Sequence, residues 1–165
     1  MRSRTANLLG ALGVALVDAQ TQLLATSPTD AAALNAIGTV PGCSITEVRV
    51  TLGITHPGTV RTIDRLVAAG LVERGAGRDA RTVGLHLTEA GERTWQEQSE
   101  ARLGWLQQTV AKLTPAEQKD LERVASALLA AMTSDEESAE RICRLCDESR
   151  CPQPRCPVTL AIGAH

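Results

Sequence analysis

The sequence predicts a mainly α-helical chain carrying one short β-hairpin, and three observations support this. Helix starts are marked by capping residues. Ser27-Pro28-Thr29-Asp30 sets an N-cap before a Pro at the first helical position, and Ser44-Ile45-Thr46-Glu47 and Thr114-Pro115-Ala116-Glu117 both fit the capping box. In that box a hydroxyl and an acid satisfy the orphan N–H groups of the helix start reciprocally. Apolar residues then recur at helical spacing, as in Ile63, Leu66 and Val67 and in the stripe Leu121, Val124, Leu128 and Met132. Finally, 165 residues include two Trp and no Phe or Tyr. The core must be Leu, Val, Ile and Ala, which suits helices packed on helices.

The elements follow in order. A first helix over 5–25 is apolar but broken by Asp18, Gln20 and Gln22, too polar to span a membrane, and no cleavage-type site follows it. The chain is therefore expected in the cytoplasm, with its five Cys as reduced thiols or metal ligands rather than disulfides. A second helix covers 29–39 and a third 45–52. The fourth, 56–69, starts at Thr55-His56-Pro57 and stops at Gly70. Strands over 71–74 and 82–87 flank a Gly- and Arg-rich tip, and long helices over 89–112 and 115–132 complete the fold. Asp135, Glu136 and Glu137 read as a solvated connector to a Cys-rich tail.

The third and fourth helices are joined by a very short connection around Gly53, which is helix-turn-helix spacing. In such a unit the second helix enters the major groove with its N-terminal residues toward the bases. Here those are Thr55, His56, Gly58, Thr59, Arg61 and Thr62, with Arg65 behind them, while Ile63 and Leu66 face the core. The hairpin is then a wing: Gly75 and Gly77 allow the tight backbone, and Arg78 and Arg81 can reach phosphates or a minor groove. Charge agrees. The net charge is -2, yet 54–86 holds five Arg against three acids, while 88–142 holds eleven acids against six bases. The lack of aromatics argues against single-strand binding by base stacking. An enzyme is disfavoured, since the sequence offers no paired acids, no nucleophile with a base and no Gly-rich phosphate loop.

These segments resemble the MarR family. The run from Gly53 to Leu66 is similar to its recognition helix, and Ala69-Gly70-Leu71-Val72-Glu73-Arg74 to its turn into the wing. Asp79-Ala80-Arg81 is similar to its Asp-x-Arg wing motif, and Leu87-Thr88-Glu89-Ala90-Gly91 to its exit. The resemblance spans roughly 5–132. It implies a homodimer that binds a short palindromic operator in double-stranded DNA, usually as a repressor. It further implies that the first helix and the last two build the dimer interface, and that Arg81, held by Asp79, touches DNA. The expected architecture is a winged helix-turn-helix domain with flanking dimerisation helices: 1–28 an N-terminal dimerisation helix, 29–88 the DNA-binding domain, 89–133 C-terminal dimerisation helices, and 134–165 a Cys-rich metal-binding tail. Apolar residues in the flanking helices exceed what a compact winged domain needs, which independently favours a symmetry mate. Trp95 and Trp105 are expected in core or dimer packing.

The tail departs from the family pattern. Cys143, Cys146, Cys151 and Cys156 follow Cys-x2-Cys-x4-Cys-x4-Cys spacing, and four soft ligands this close can close on one tetrahedral ion. Zinc is the favoured occupant, with an iron-sulfur cluster or reversible thiol oxidation as alternatives. A small-molecule or redox effector is a further expected partner. Pro152, Pro154 and Pro157 are expected to favour an extended return of the chain, and Arg144, Arg150 and Arg155 to offset thiolate charge. Cys43 reads as a small buried residue, His86 as a strand residue and His165 as a substitute ligand or a loose terminus. An alternative function is a winged-helix interaction module whose tail binds a protein or RNA.

Overall fold

Capping chemistry fixes the helices where the sequence marks them. The computed structural model describes residues 3–79, 82–147, 150–151 and 153–163. Helices α1 (Arg4–Gln22) and α2 (Pro28–Thr39) begin at Ser3 and Ser27, and the Ser27 hydroxyl accepts the Asp30 N–H at 3.2 Å. Helix α3 (Ile45–Leu52) carries the full Ser44/Glu47 capping box, and α4 (His56–Ala68) starts at Thr55. Strands β1 (Val72–Ala76) and β2 (Val83–Leu87) pair antiparallel from Val72↔Leu87 to Ala76↔Val83, and Cys43 adds a bridge to Leu85. Helices α5 (Glu89–Val110) and α6 (Pro115–Met132) follow, the latter with the Thr114/Glu117 box. Predicted and observed boundaries differ by a few residues at most.

The core lies inside the winged unit. Leu34 and Ile37 from α2, Val48 from α3, Ile63 and Leu66 from α4, and Val72 and Leu85 from the hairpin are all buried together, with Trp95 of α5 packed against them. Two glycines permit this closeness. Gly53, at φ 63°, takes the left-handed conformation that turns α3 into α4. A Cβ at Gly91 would lie 1.9 Å from the Leu71 carbonyl oxygen, so α5 can leave the wing only where the residue has no side chain. The flanking helices are different: neither α1 nor α6 buries a residue, and Leu8, Leu12, Val17, Leu121, Val124 and Met132 are exposed. No helix among the described residues is long and apolar enough to cross a membrane.

The tail departs from expectation in two ways. Asp135 is not part of a loose connector. It caps α7 (Glu136–Cys143), its carboxylate accepting the Ser138 N–H at 2.7 Å, with Glu136 and Glu137 in the first turn where acids favour the helix dipole. Nor is the return wholly extended. A 3-10 turn at Gln153–Arg155 leads into α8 (Pro157–Ile162), because Pro157 occupies the first helical turn, where its missing N–H costs nothing. Pro152 lies outside the described residues. Helix α7 packs on α3 and α8 on α6, around a small core of Ala139, Cys156 and Val158.

Leu34→Ala should destabilise the protein by about 2–5 kcal/mol in urea unfolding, because it leaves a cavity in a fully buried site. Leu160→Ala, in a residue 57 % exposed on α8, should change stability by no more than about 0.5 kcal/mol.

Candidate DNA-reading face and thiol cluster

The helix-turn-helix presents one face of α4 to solvent. Thr55 is the N-cap, its hydroxyl accepting the Gly58 N–H at 3.3 Å, and Gly58 is half-buried. His56 and Arg61 are exposed. Thr59 and Thr62 correct the sequence reading: they were expected to approach base edges, but Thr59 is 0 % exposed and Thr62 is buried. The Thr59 hydroxyl donates back to the Thr55 carbonyl at 3.1 Å. Both lie on the inner face with Ile63 and Leu66. A threonine is isosteric with valine, so its hydroxyl can be satisfied within the helix while its methyl packs in the core.

Most of the basic charge of this region is engaged. Arg65 donates to the buried Asp30, with Nε to Oδ2 at 3.2 Å, and this carboxylate raises the guanidinium pKa further. Arg74 pairs with Asp64 at 2.6 Å, tying the wing to α4. Arg78 pairs with Glu47, tying the wing to the α3 capping box. Both are expected phosphate contacts or near neighbours of them, and the structure places both as braces between elements. Asp79 is exposed at the wing, and its carbonyl accepts the Thr82 N–H at 2.9 Å. Arg81 lies outside the described residues. Arg61 therefore stands out: it is exposed and makes no ion pair among the described residues.

The four tail cysteines lie close enough to influence one another electrostatically. Cys143 ends α7, and the Cys146 N–H donates to its carbonyl at 2.7 Å. Cys143 and Cys146 hydrogen-bond thiol to thiol, as do Cys151 and Cys156. The hydrogen bond to Cys146, burial and the neighbouring thiols hold the Cys143 pKa well up. Burial and Cys156 raise that of Cys151. Cys156 is the exception. Burial pushes its pKa up, but the Thr159 N–H and hydroxyl, the Val158 N–H and the Cys151 thiol outweigh this and lower it, favouring the thiolate. Among the described residues no group of three or more His, Cys, Asp or Glu stands ready to hold a metal ion. The thiols are two hydrogen-bonded pairs, and none of the five cysteines is in a disulfide among the described residues. Cys43 is buried in the winged core, with its pKa raised by that burial. His86 is a strand residue bonded to the Ala76 carbonyl at 2.8 Å, and His165 lies outside the described residues.

Three residues that the sequence reading missed hold the tail. Asn35 Nδ2 donates to the carbonyls of Arg144 and Cys146 at 3.2 and 3.3 Å, and Trp95 Nε1 donates to Asn35 Oδ1 at 2.9 Å. Arg102, buried on α5, donates to the Leu145 carbonyl, and Cys146 and Asp147 partly offset the desolvation that lowers its pKa. Arg150 pairs instead with Asp147 at 3.0 Å. One signal was available: Asn35 interrupts the run Ala31-Ala32-Ala33-Leu34, and a polar residue on an apolar face requires a partner.

Comparison with known proteins agrees with this architecture. The MarR family model matches residues 26–82. A MarR family protein from Bacillus stearothermophilus superposes with TM-score 0.71 at 25% identity, over 81% of this chain and 99% of that one. MepR, a transcription regulator of the Staphylococcus aureus multidrug efflux pump MepA, superposes with TM-score 0.67 at 15% identity, over 78% and 98%. Structures of MepR bound to ethidium bromide (16% identity, 78% and 96%) and of a MepR variant bound to an oligodeoxyribonucleotide (15% identity, 80% and 100%) each match with TM-score 0.58. No curated protein matches the chain. With a capped helix-turn-helix and a two-stranded wing, and with the family's own model fitting residues 26–82, the chain carries a MarR-family winged helix-turn-helix domain.

Proposed function

We propose that the chain is a transcriptional repressor that binds a palindromic operator in duplex DNA as a homodimer, with α4 in the major groove. The observation that carries this is the exposed face of α4, where Arg61 is uncommitted while Arg65, Arg74 and Arg78 are held in internal ion pairs. An uncommitted guanidinium near the start of a recognition helix can donate in a fork to a guanine edge. The exposed apolar residues of α1 and α6 support the dimer, since they need a covering surface and a second copy offers the same one. The oligonucleotide-bound MepR structure supports the DNA reading, and the ethidium-bound one supports an effector. We place the protein in the cytoplasm, where free thiols persist.

We further propose that Cys143, Cys146, Cys151 and Cys156 hold one metal centre, zinc ahead of an iron-sulfur cluster, with reversible thiol oxidation as the remaining alternative. The donor set fits. Four soft thiols lie within electrostatic reach of one another, the pKa of one lowered by backbone N–H groups, with the Arg102 guanidinium beside Cys146. Bound zinc would supply the cohesion that the small tail core lacks.

Arg61→Ala should cost a selected operator more affinity than random duplex, by about 1–3 kcal/mol in anisotropy titrations. Equal losses on both would make Arg61 a phosphate contact only. Arg81→Ala should weaken all duplexes alike and flatten the salt dependence. Sedimentation should give a dimer at micromolar concentration, with recognition helices about 34 Å apart on DNA. Leu12→Asp, on the exposed α1 surface, should shift it toward monomer. Elemental analysis should find stoichiometric zinc in wild type and its loss in Cys151→Ser. Iron with acid-labile sulfide would establish the cluster, and no metal in either protein would leave thiol chemistry.

A further inference from the structure

The tail touches both working parts of the molecule at once. On the side of the reading head, α7 packs on α3, the Thr51 hydroxyl donates to Glu140 at 3.2 Å, and the Arg141 side chain lies over Gly53 at the turn of the helix-turn-helix itself. On the side of the flanking helices, α8 packs on α6. The cysteines join the two: Cys143 ends α7 and Cys156 precedes α8. Between them, three consecutive carbonyls of the Cys143–Cys146 loop are all bound from outside the tail. Those of Arg144 and Cys146 accept from Asn35 on α2, and that of Leu145 accepts from Arg102 on α5.

Ordinary surface loops bond to water or to themselves. Here every carbonyl from 144 to 146 is bound by a buried donor, and the two donors belong to different layers. A cavity of about 540 Å³ beside the loop, reached by Cys43, Glu47, Arg78, Cys143 and Cys146, gives the head room to shift if the loop lets go. The main packing of the tail is on α3 and α6 rather than on α4, and His56 and Arg61 of α4 remain exposed with the tail docked.

We propose that the four-cysteine module is a clasp that fixes the DNA-reading head against the flanking helices, so that the integrity of its thiol centre sets affinity for duplex DNA. This rests on the reading of the chain as a DNA-binding dimer. With the centre formed, the loop presents its carbonyls to Asn35 and Arg102 and the head is held in its binding position. With the centre broken, the loop disorders, the two donors lose their acceptors and the head is left to its Trp95 and Gly91 contacts with α5. Binding must then bear the cost of reordering the head, and affinity falls.

The test uses the full chain and a duplex selected from a random pool by the wild-type protein. Anisotropy titration gives its affinity, sedimentation the oligomeric state, thermal melting the integrity of the fold and elemental analysis the metal. Asn35→Asp keeps an acceptor for Trp95 but removes the donor to the loop. Arg102→Met removes the second donor, and Arg102→Lys restores one. Cys151→Ser breaks the centre. Asn35→Asp, Arg102→Met and Cys151→Ser should each weaken binding about tenfold or more while remaining folded dimers, and Arg102→Lys should stay within about threefold of wild type. Combining Arg102→Met with Cys151→Ser should cost little beyond either alone, because both open the same clasp. Affinities within about twofold of wild type, tighter binding, or losses that multiply in the double variant would overturn the proposal. If Cys151→Ser fails to fold, the Arg102 pair decides by itself. A wild-type protein that selects no duplex would defeat the DNA-binding reading directly and this inference with it, whereas a wild type without metal removes only the zinc assignment, because the Asn35 and Arg102 variants do not depend on it.

Discussion

Asn35 projects from an otherwise apolar stretch of α2 and is 8 % exposed. A buried primary amide left unpaired costs on the order of 1–3 kcal/mol, so its oxygen and nitrogen need partners that water cannot supply. They find them on two elements far apart in sequence: Trp95 on α5 and the loop after α7. The indole bonded to Asn35 also covers Gly38, where an added Cβ would come within 2.6 Å of the ring. The distance between the winged core and α5 is thus set by a glycine, an indole and an amide together. Changing any one displaces the others.

Electrostatics in the winged unit mostly serve architecture. The basic middle of the sequence suggests a field directed at phosphates, yet Asp30, Asp64 and Glu47 engage three of its arginines. These bonds fix α2 to α4, the wing to α4 and the wing to α3. Two of the three pairs are largely exposed, and such pairs contribute little stability individually. Their effect is directional. They restrict how the hairpin can swing relative to α4.

The fold was legible because its signals are local. Capping boxes at Ser44 and Thr114, Pro at helix starts, and glycine at the α3–α4 turn each act within a few residues, and the structure follows them. Three-dimensional facts were less accessible. Thr59 and Thr62 look like DNA contacts in sequence because hydroxyls suit base edges, but helical phase turns both inward beside Ile63. Arg78 looks like a phosphate contact until Glu47, 31 residues away, is found against it. The four cysteines were legible as a group from spacing alone, while their anchorage was not, because Asn35 and Arg102 precede the loop by 109 and 43 residues respectively.

Helix α1 has 19 residues and buries none of them within its own chain. Most helical stability in proteins comes from tertiary contact with an amphipathic face, and this helix has only the partial burial of Leu16, Ala19 and Gln20 to draw on. In the homodimer we propose, its order becomes a property of the population rather than of the single molecule. Dilution would fray it and crowding with its own kind would restore it, so the melting temperature of the protein becomes a function of how much of it is present.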